Sequence, residues 1–377
     1  MKKLIFKKIL LDITFFFLLV SFSLTLIVWV IQAVNYLDFV TEDGHTLKVY
    51  FLYTLLNLPK IFNKLLPFII FISTFYIITV YEKNNELVIF WTYGISKINF
   101  INVIFKYSIF FIILKILLSS FLIPLTQSKA RSFIKSSNVD FFPQLLKEKR
   151  FIDTVSDLTI FIDSKSNNGN LRNIFLKEKI TDDVFKVIYA KSGMLLGKDS
   201  AQYLMLEDGI FINYNNQKNT FFKFKNTEFN LSEYTSKSTT YPKIQERETL
   251  QLLECFFSKR VNMKNFSLPQ FICNEDSINS VTEEIAKRII MPFYIPVTLI
   301  LSSLLIFKSS ESRNYIRFKI GVFLSTLIII IFSEIMIRYV GLTNLHTVIF
   351  SLVPFVLILL SYFLIFLNVN NWKHQTK

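Results

Sequence analysis

The sequence predicts an α+β membrane protein, with six transmembrane helices in a three-plus-three arrangement and an antiparallel β domain inserted between the third and the fourth. Three observations predict it. Six apolar runs each last about 20 residues, the length a helix needs to cross a hydrocarbon layer of about 30 Å. The 377 residues are 52% hydrophobic and only 19% charged, with a mean hydropathy of +0.43, richer in apolar residues than soluble chains of this length. Between the third and fourth runs lies a long polar stretch with period-two alternation, the pattern of half-buried strands.

The first run, about Ile9 to Ile31, follows Lys2, Lys3, Lys7 and Lys8. It is too long for a signal-peptide core and lacks a small-residue cleavage site, so it reads as a retained helix. Residues Leu47 to Lys64 are apolar with interspersed polar positions. Pro59 and Pro67 are expected to break this stretch, which reads as a helix on the outer membrane surface ahead of the second span, Leu65 to Tyr81. The third span is about Ile98 to Leu125.

The inserted domain begins near residue 128 and ends near residue 280, dividing the chain into 1–127, 128–280 and 281–377. Its strands read as Leu158 to Asp163, Leu171 to Lys177, Val184 to Lys191 (stopping at Ser192-Gly193), Gln202 to Tyr214 and Phe221 to Leu231. Asp208-Gly209, within the fourth of these, is a strong two-residue hairpin pattern. Counting such turns gives six to eight strands, enough for a sandwich or an open jelly roll. Thr282 to Lys287 then leads into a fourth span at Ile289 to Phe307, a fifth at Phe318 to Ile337 and a sixth at Thr347 to Leu367.

Lys and Arg close to span ends are retained on the cytoplasmic side. Lys83 and Lys97 flank the loop after span two, Lys308, Arg313, Arg317 and Lys319 surround the loop after span four, and Lys373 and Lys377 follow span six. Residues 340–346 carry no Lys or Arg, and residues 33–47 carry only Asp38, Glu42 and Asp43 as charges. Both termini are therefore expected in the cytoplasm and the β domain on the outer side.

Several chemistries are excluded. The net charge of +14 is scattered over short loops and forms no basic, aromatic-interleaved patch, which argues against nucleic acid. His45, His346 and His374 stand alone and no Cys/His cluster has metal-ligand spacing, so no metal site is expected. The nearest approach to a phosphate loop, Gly193 to Asp199 (GMLLGKD), is one residue short between its glycines. It also has Asp where Ser or Thr must hold magnesium, so it reads as a strand-end turn. No catalytic constellation is present, so no catalytic residue and no cofactor bound by this chain are expected. Cys255 and Cys273 both fall in the outer compartment, where a disulfide is permitted, and their pairing is left open. Lys115, deep in span three, is costly in lipid and should face protein or water. Asp12 can reach back one turn to Lys8.

On the cytoplasmic side, Glu82 to Ser96 (EKNNELVIFWTYGIS) holds a two-turn amphipathic stretch. Helical spacing groups Glu82 with Glu86, and Leu87 with Phe90 and Trp91. An exposed apolar stripe beside acids suits docking into a partner's groove, and a helix lying on the inner leaflet would look the same. Gly94 fits the left-handed residue that ends a helix.

This segment resembles the coupling-helix region of the LptF/LptG family of lipopolysaccharide export permeases, where a Glu-(Leu/Ile) pair is followed by a short helix and Gly-(Ile/Leu/Val)-Ser. Here those positions are Glu86, Leu87, Gly94, Ile95 and Ser96. Trp29 to Leu37 (WVIQAVNYL) resembles the end of the first span of the F-type subunit, and Leu58-Pro59 and Leu66-Pro67 its entry to the second. LTIFID, LRNIFL, IYAKSG and LEDG resemble the family's periplasmic jelly-roll strands in order.

The resemblance implies an inner-membrane permease subunit of an ABC transporter, most like LptF, that takes lipopolysaccharide from the outer leaflet. It implies an LptG-like partner permease, a cytoplasmic LptB-like ATPase dimer that uses the ATP, and an LptC/LptA-like periplasmic bridge. Coupling to the ATPase would fall on Glu82, Glu86, Leu87, Phe90, Trp91 and Gly94. The family's cavity-lining basic residues are not recognisable here by position.

A substrate with acyl chains and phosphates needs an apolar wall and cations at its outer rim. The candidates are Lys48, Lys60 and Lys64, with Arg338 and its neighbour Glu334 at the outer end of span five. Snorkelling of the lysines and an Arg338–Glu334 ion pair are the plainer accounts. The competing functional readings are another ABC-type permease or mechanotransmission subunit for lipoproteins or peptides, and a membrane-anchored periplasmic binding or sensor protein.

Overall fold

A computed structural model describes residues 2–37, 46–136, 146, 148–155, 157–166, 169–180, 184–198, 201–214, 219–231, 243–260, 273, 275–341 and 344–375. Asp38, Glu42, Asp43, His45, Asp199 and Lys377 lie outside the described residues, as do the side chains of Lys373 and His374. Among the described residues six helices are long and apolar enough to cross a membrane: Lys2–Asn35, Leu47–Lys83, Lys97–Ile134, Ser277–Phe307, Tyr315–Tyr339 and Leu345–Leu367. The described residues group into two compact units, one from Met1–Trp29, Leu58–Gln127 and Lys243–Lys377, the other from Val30–Asn57 and Ser128–Pro242.

Span one is α1 (Lys2–Asn35). Span two is built from α2 (Leu47–Leu56) and α3 (Leu58–Lys83). Thr46 starts α2 by accepting a hydrogen bond from the Val49 amide. The expected breaks at Pro59 and Pro67 do not occur. The break is at Asn57, whose Nδ2 donates to the Tyr53 carbonyl at 2.8 Å. Pro59 lies in the first turn of α3, where a missing N–H costs little. Pro67 is buried inside α3, where packing in the bundle tolerates it.

The loop between spans two and three contains α4 (Glu86–Thr92). Span three runs from α5 (Lys97–Leu117), capped by the Ser96 hydroxyl, through a π turn at Leu118–Leu122 into α6 (Ile123–Ser136). After the sheet come α7 (Thr249–Arg260) and α8 (Glu275–Ile289), which leads through a 3-10 turn into α9 (Tyr294–Ser303) of span four. Span five is α10 (Tyr315–Tyr339) and span six lies in α11 (Asn344–Gln375).

Span four is the hub of the helical unit. Every residue from Tyr294 to Ser303 is buried, and Ile295, Leu299 and Ile300 share one apolar cluster with Ile69, Ile70 and Phe71 of span two and Ile101 and Ile104 of span three. Spans one, five and six instead expose apolar side chains such as Phe15, Phe22, Leu324, Ile328 and Leu359. Burying the hub satisfies close packing, and the outward apolar surfaces suit hydrocarbon.

The sheet is a six-stranded antiparallel meander in the order β1-β2-β3-β4-β5-β6. Its strands are β1 (Arg150–Val155), β2 (Leu158–Lys165), β3 (Asn170–Lys179), β4 (Phe185–Lys198), β5 (Ala201–Tyr214) and β6 (Thr220–Asn230). Two expected turns are strand interior. β4 continues through Ser192-Gly193 to Lys198, which also absorbs most of the GMLLGKD segment, and β5 continues through Asp208-Gly209.

The reason lies in a fold line across the sheet. Asn173 and Asp208 both take left-handed backbone, with φ of +48°, which Asn and Asp tolerate better than other side chains. Register is kept on both sides, with Ala190 opposite Gly209 and Ser192 opposite Glu207, while the position between them is unpaired. Buried positions accordingly step by three at this level, as in Leu171 to Ile174 and Ala190 to Gly193. Gly209 is needed for closeness, not for a turn: a Cβ there would sit 2.3 Å from the Phe224 ring and 2.4 Å from the Tyr189 carbonyl oxygen. The core face carries Leu158, Ile160, Ile162, Ile174, Leu176 and Leu206.

Candidate functional site

The segment 82–96 is held against one end of the bundle from within. Leu87 and Phe90 are 1% and 2% exposed, and the Phe90 ring meets Phe6 at 5.8 Å and Phe100 at 5.5 Å. Trp91 packs 6.2 Å from Phe100, with the Lys97 ammonium over its ring. The stripe expected to be exposed is therefore the buried one. Helical periodicity identifies a face and leaves open which way it points. The apolar surface that α4 offers outward is Val88, Ile89 and Tyr93, 49%, 47% and 46% exposed.

Gly94 closes the helix with φ +66°. Ile95 N–H donates to Phe90 O and Gly94 N–H to Trp91 O, both at 3.0 Å, the paired bonds of a left-handed C-cap. Lys2 adds a bond from Nζ to Gly94 O at 3.2 Å.

The two acids separate. Glu82 is 9% exposed, and its Oε1 accepts from the Ser310 amide at 2.9 Å, tying down the loop between spans four and five. Glu86 is half-buried; its Oε1 accepts from Asn84 Nδ2 and its Oε2 lies 3.7 Å from Lys8 Nζ. Lys8 thus pairs with Glu86, and the Asp12 carboxylate accepts from the Tyr81 hydroxyl of span two instead of reaching back to Lys8.

On the other candidate set, Lys48 is exposed on α2 and Lys64 is exposed on α3. Lys60 is half-buried in the mixed field of Lys243, Glu284, Glu246 and Lys64. Arg338 is exposed near the end of span five. Glu334, half-buried, exerts its field on Lys115 of span three. Lys115 is 1% exposed and donates to the Asn63 carbonyl at 3.3 Å, so it faces protein.

The sheet face opposite the core carries one cross-strand row, Phe151, Phe161, Phe175, Tyr189, Ile210 and Lys223, each opposite the next. Neighbouring rings lie 4.8 Å (Phe151 to Phe161) and 5.1 Å (Phe175 to Tyr189) apart. At the fold line this row borders a hollow of about 880 Å³ that Lys191, Asp208 and Lys225 also line.

The pairing that the sequence left open is made: Cys255 and Cys273 are bonded, 18 residues apart with Cα atoms 5.9 Å from each other. One feature escaped sequence reasoning. Arg288, at the end of α8, is fully buried. An arginine immediately before the expected fourth span, one turn after Glu284, was the available sign, but the Thr249 hydroxyl and the main-chain oxygens of Gln245 and Arg247 that also bind it are distant in the chain and no residue pattern reveals them. Among the described residues no three His, Cys, Asp or Glu side chains converge.

A family model described as "Lipopolysaccharide export system permease LptF/LptG" matches residues 7–368. The chain is also similar to "Uncharacterized protein RP871" of Rickettsia prowazekii (strain Madrid E), with 26% identity over 178 residues, 47% of this chain and 49% of that protein. The matched region spans about half the length of that curated relative.

Proposed function

Because the chain belongs to the LptF/LptG family of lipopolysaccharide export permeases, we propose that it is a membrane-spanning subunit of an ABC transporter that takes lipopolysaccharide from the outer leaflet of the inner membrane and passes it through its β domain toward the outer membrane. The observation that carries this reading is α4. A seven-residue helix is anchored by Leu87 and Phe90, leaves Val88, Ile89 and Tyr93 outward, and keeps Glu86 at its start. A rigid stub of this kind transmits force from a partner that grips its outer face.

In this reading both termini and α4 are cytoplasmic, as the cations at Lys83, Lys97, Lys308 and Arg313 favour. The sheet is periplasmic, and the Cys255–Cys273 bond suits an oxidising compartment. The partners are an LptB-like ATPase dimer at α4, an LptG-like permease along the exposed apolar spans, and an LptC/LptA-like bridge whose sheet adds to an outermost strand, β1 or β6. ATP is used by the ATPase dimer and this chain binds no cofactor. The stretch around Gln32 favours the F-type subunit. Among the rim cations, Lys48, Lys64 and Arg338 are open to a phosphate; Lys60, with Glu246 and Glu284 beside it, is the weakest of the four.

Co-purification after mild detergent extraction, followed by reconstitution, tests this. The expected result is a complex with a homologous permease and an ATPase that moves lipopolysaccharide only with ATP. A lone, monodisperse chain without ATP-linked lipid movement sinks the reading.

A further inference from the structure

The chain returning from the sheet re-enters the helical unit at Lys243, turns through the 3-10 segment Ile244–Glu246 and begins α7 at Thr249. Beneath it lies Arg288, in the last turn of α8 and 1% exposed. A guanidinium stays charged, so burial is tolerable only when its donors are satisfied. Four bonds do this. Nε donates to Glu284 Oε1 at 3.0 Å, Nη1 to Arg247 O at 3.0 Å and to Thr249 Oγ1 at 2.8 Å, and Nη2 to Gln245 O at 3.0 Å.

The Thr249 hydroxyl is committed in both directions. It accepts from Arg288 and donates its own proton to Ser120 O at 2.8 Å. Ser120 sits in the π turn Leu118–Leu122 of span three, a helix irregularity of the kind that recurs at functional points. The neighbouring Ser119 hydroxyl donates to the Arg288 carbonyl at 3.2 Å. One guanidinium and two hydroxyls therefore join three segments: the returning linker, the π turn of span three and the approach to span four.

We propose that Arg288 and Thr249 are positioning residues that lock the π turn of span three to the linker 243–249, so that a shift of the membrane helices is delivered to the chain that leads to the β domain. Two of the three bonds from Arg288 to the linker end on main-chain oxygens, of Gln245 and Arg247, and the bond from Thr249 ends on that of Ser120, so they fix the path of the backbone itself. A buried, hydrogen-bonded charge is also a poor way to gain mere stability, since well-packed apolar residues do that at least as well. The far side of α7 is pinned separately, by Cys255 to Cys273 and by the packing of Leu252 and Cys255 on Val281. A displacement of the π turn is thus passed to a linker whose two attachments are stiff.

Only the lipid-movement arm of the test rests on the transport reading above. The variants are Thr249→Val, which keeps the shape and removes the hydroxyl, and Thr249→Ser, which keeps the hydroxyl. In the full-length chain in lipid nanodiscs, amide exchange in residues 118–124 and 243–250 should rise together, about tenfold, in T249V and stay at the wild-type level in T249S. A rise confined to 243–250, with span three unchanged, overturns the joint. In the reconstituted complex, T249V should move about tenfold less lipopolysaccharide per ATP hydrolysed at an unchanged hydrolysis rate, and T249S should restore the ratio; an unaltered ratio in T249V also overturns it. Failure of the wild-type chain to move lipid at all counts against the transport reading, and the exchange result then decides the joint alone.

Discussion

Glu82 and Glu86 stand one helical turn apart, and their surroundings give them different work. Removing the Glu82 carboxylate leaves the Ser310 amide without its partner in a nearly buried place, a loss of about 1–3 kcal/mol. Glu82→Ala should therefore lower the unfolding temperature of the purified chain, and Glu82→Gln, which keeps an acceptor, should lower it less. Glu86→Ala removes a half-exposed group with a long 3.7 Å ion pair, so its stability cost should stay within about 0.5 kcal/mol. Under the proposed function its effect appears in ATP-coupled transport, and a variant with wild-type transport would take Glu86 out of the coupling. Gly209 obeys a different constraint. Gly209→Ala drives a Cβ into the Phe224 ring and the Tyr189 carbonyl, which should cost about 1–3 kcal/mol. In a Phe224→Ala background the added cost should shrink, because the two sites share one space; equal costs in both backgrounds would show that the ring is not the obstacle.

At the scale of elements, α4 is an inner anchor joined to an outer contact surface. Leu87→Asp places a charge in the cluster of Phe6, Phe90 and Phe100 and should abolish accumulation of folded chain. Ile89→Asp, on the outer side, should leave folding and insertion intact and, under the proposed function, weaken retention of the ATPase by tenfold or more, read as the fraction of ATPase that stays bound during purification. Equal loss of folded protein in both variants would contradict the two-sided picture. The amphipathic pattern of this helix was legible because its period is fixed by backbone geometry. Its direction was not, because Leu87 and Phe90 go inward only where Phe6 and Phe100 wait for them. The same holds for β5. Asp208-Gly209 has the composition of a hairpin, yet the strand runs through it because β4 and β6 keep their register on both sides, and that long-range pairing outweighs a local turn preference.

For the whole molecule, the Cys255–Cys273 bond closes a loop of 18 residues, for which chain entropy gives about 3 kcal/mol. The Cys255→Ser/Cys273→Ser double variant should unfold several degrees lower, and the wild-type chain should show the same shift after reduction; no shift in either would mean that the helical packing alone holds α7. Impermeant thiol labelling gives a matching topological expectation, with a cysteine at Tyr93 and one at Lys223 reacting from opposite sides of the membrane. The sequence by itself determined the six spans and the inserted sheet, because hydrocarbon thickness and strand alternation impose short-range periods that can be counted, and its resemblance to the family rested on local motifs such as Glu86-Leu87 and Gly94-Ile95-Ser96. Tertiary structure alone decided that Asn57 breaks span two, that Leu87 and Phe90 point inward, that Glu82 holds a loop 228 residues away, and that Arg288 grips the linker. Each depends on groups distant in the chain, often main-chain oxygens common to every residue, and such meetings are set by packing in three dimensions and leave no period to read.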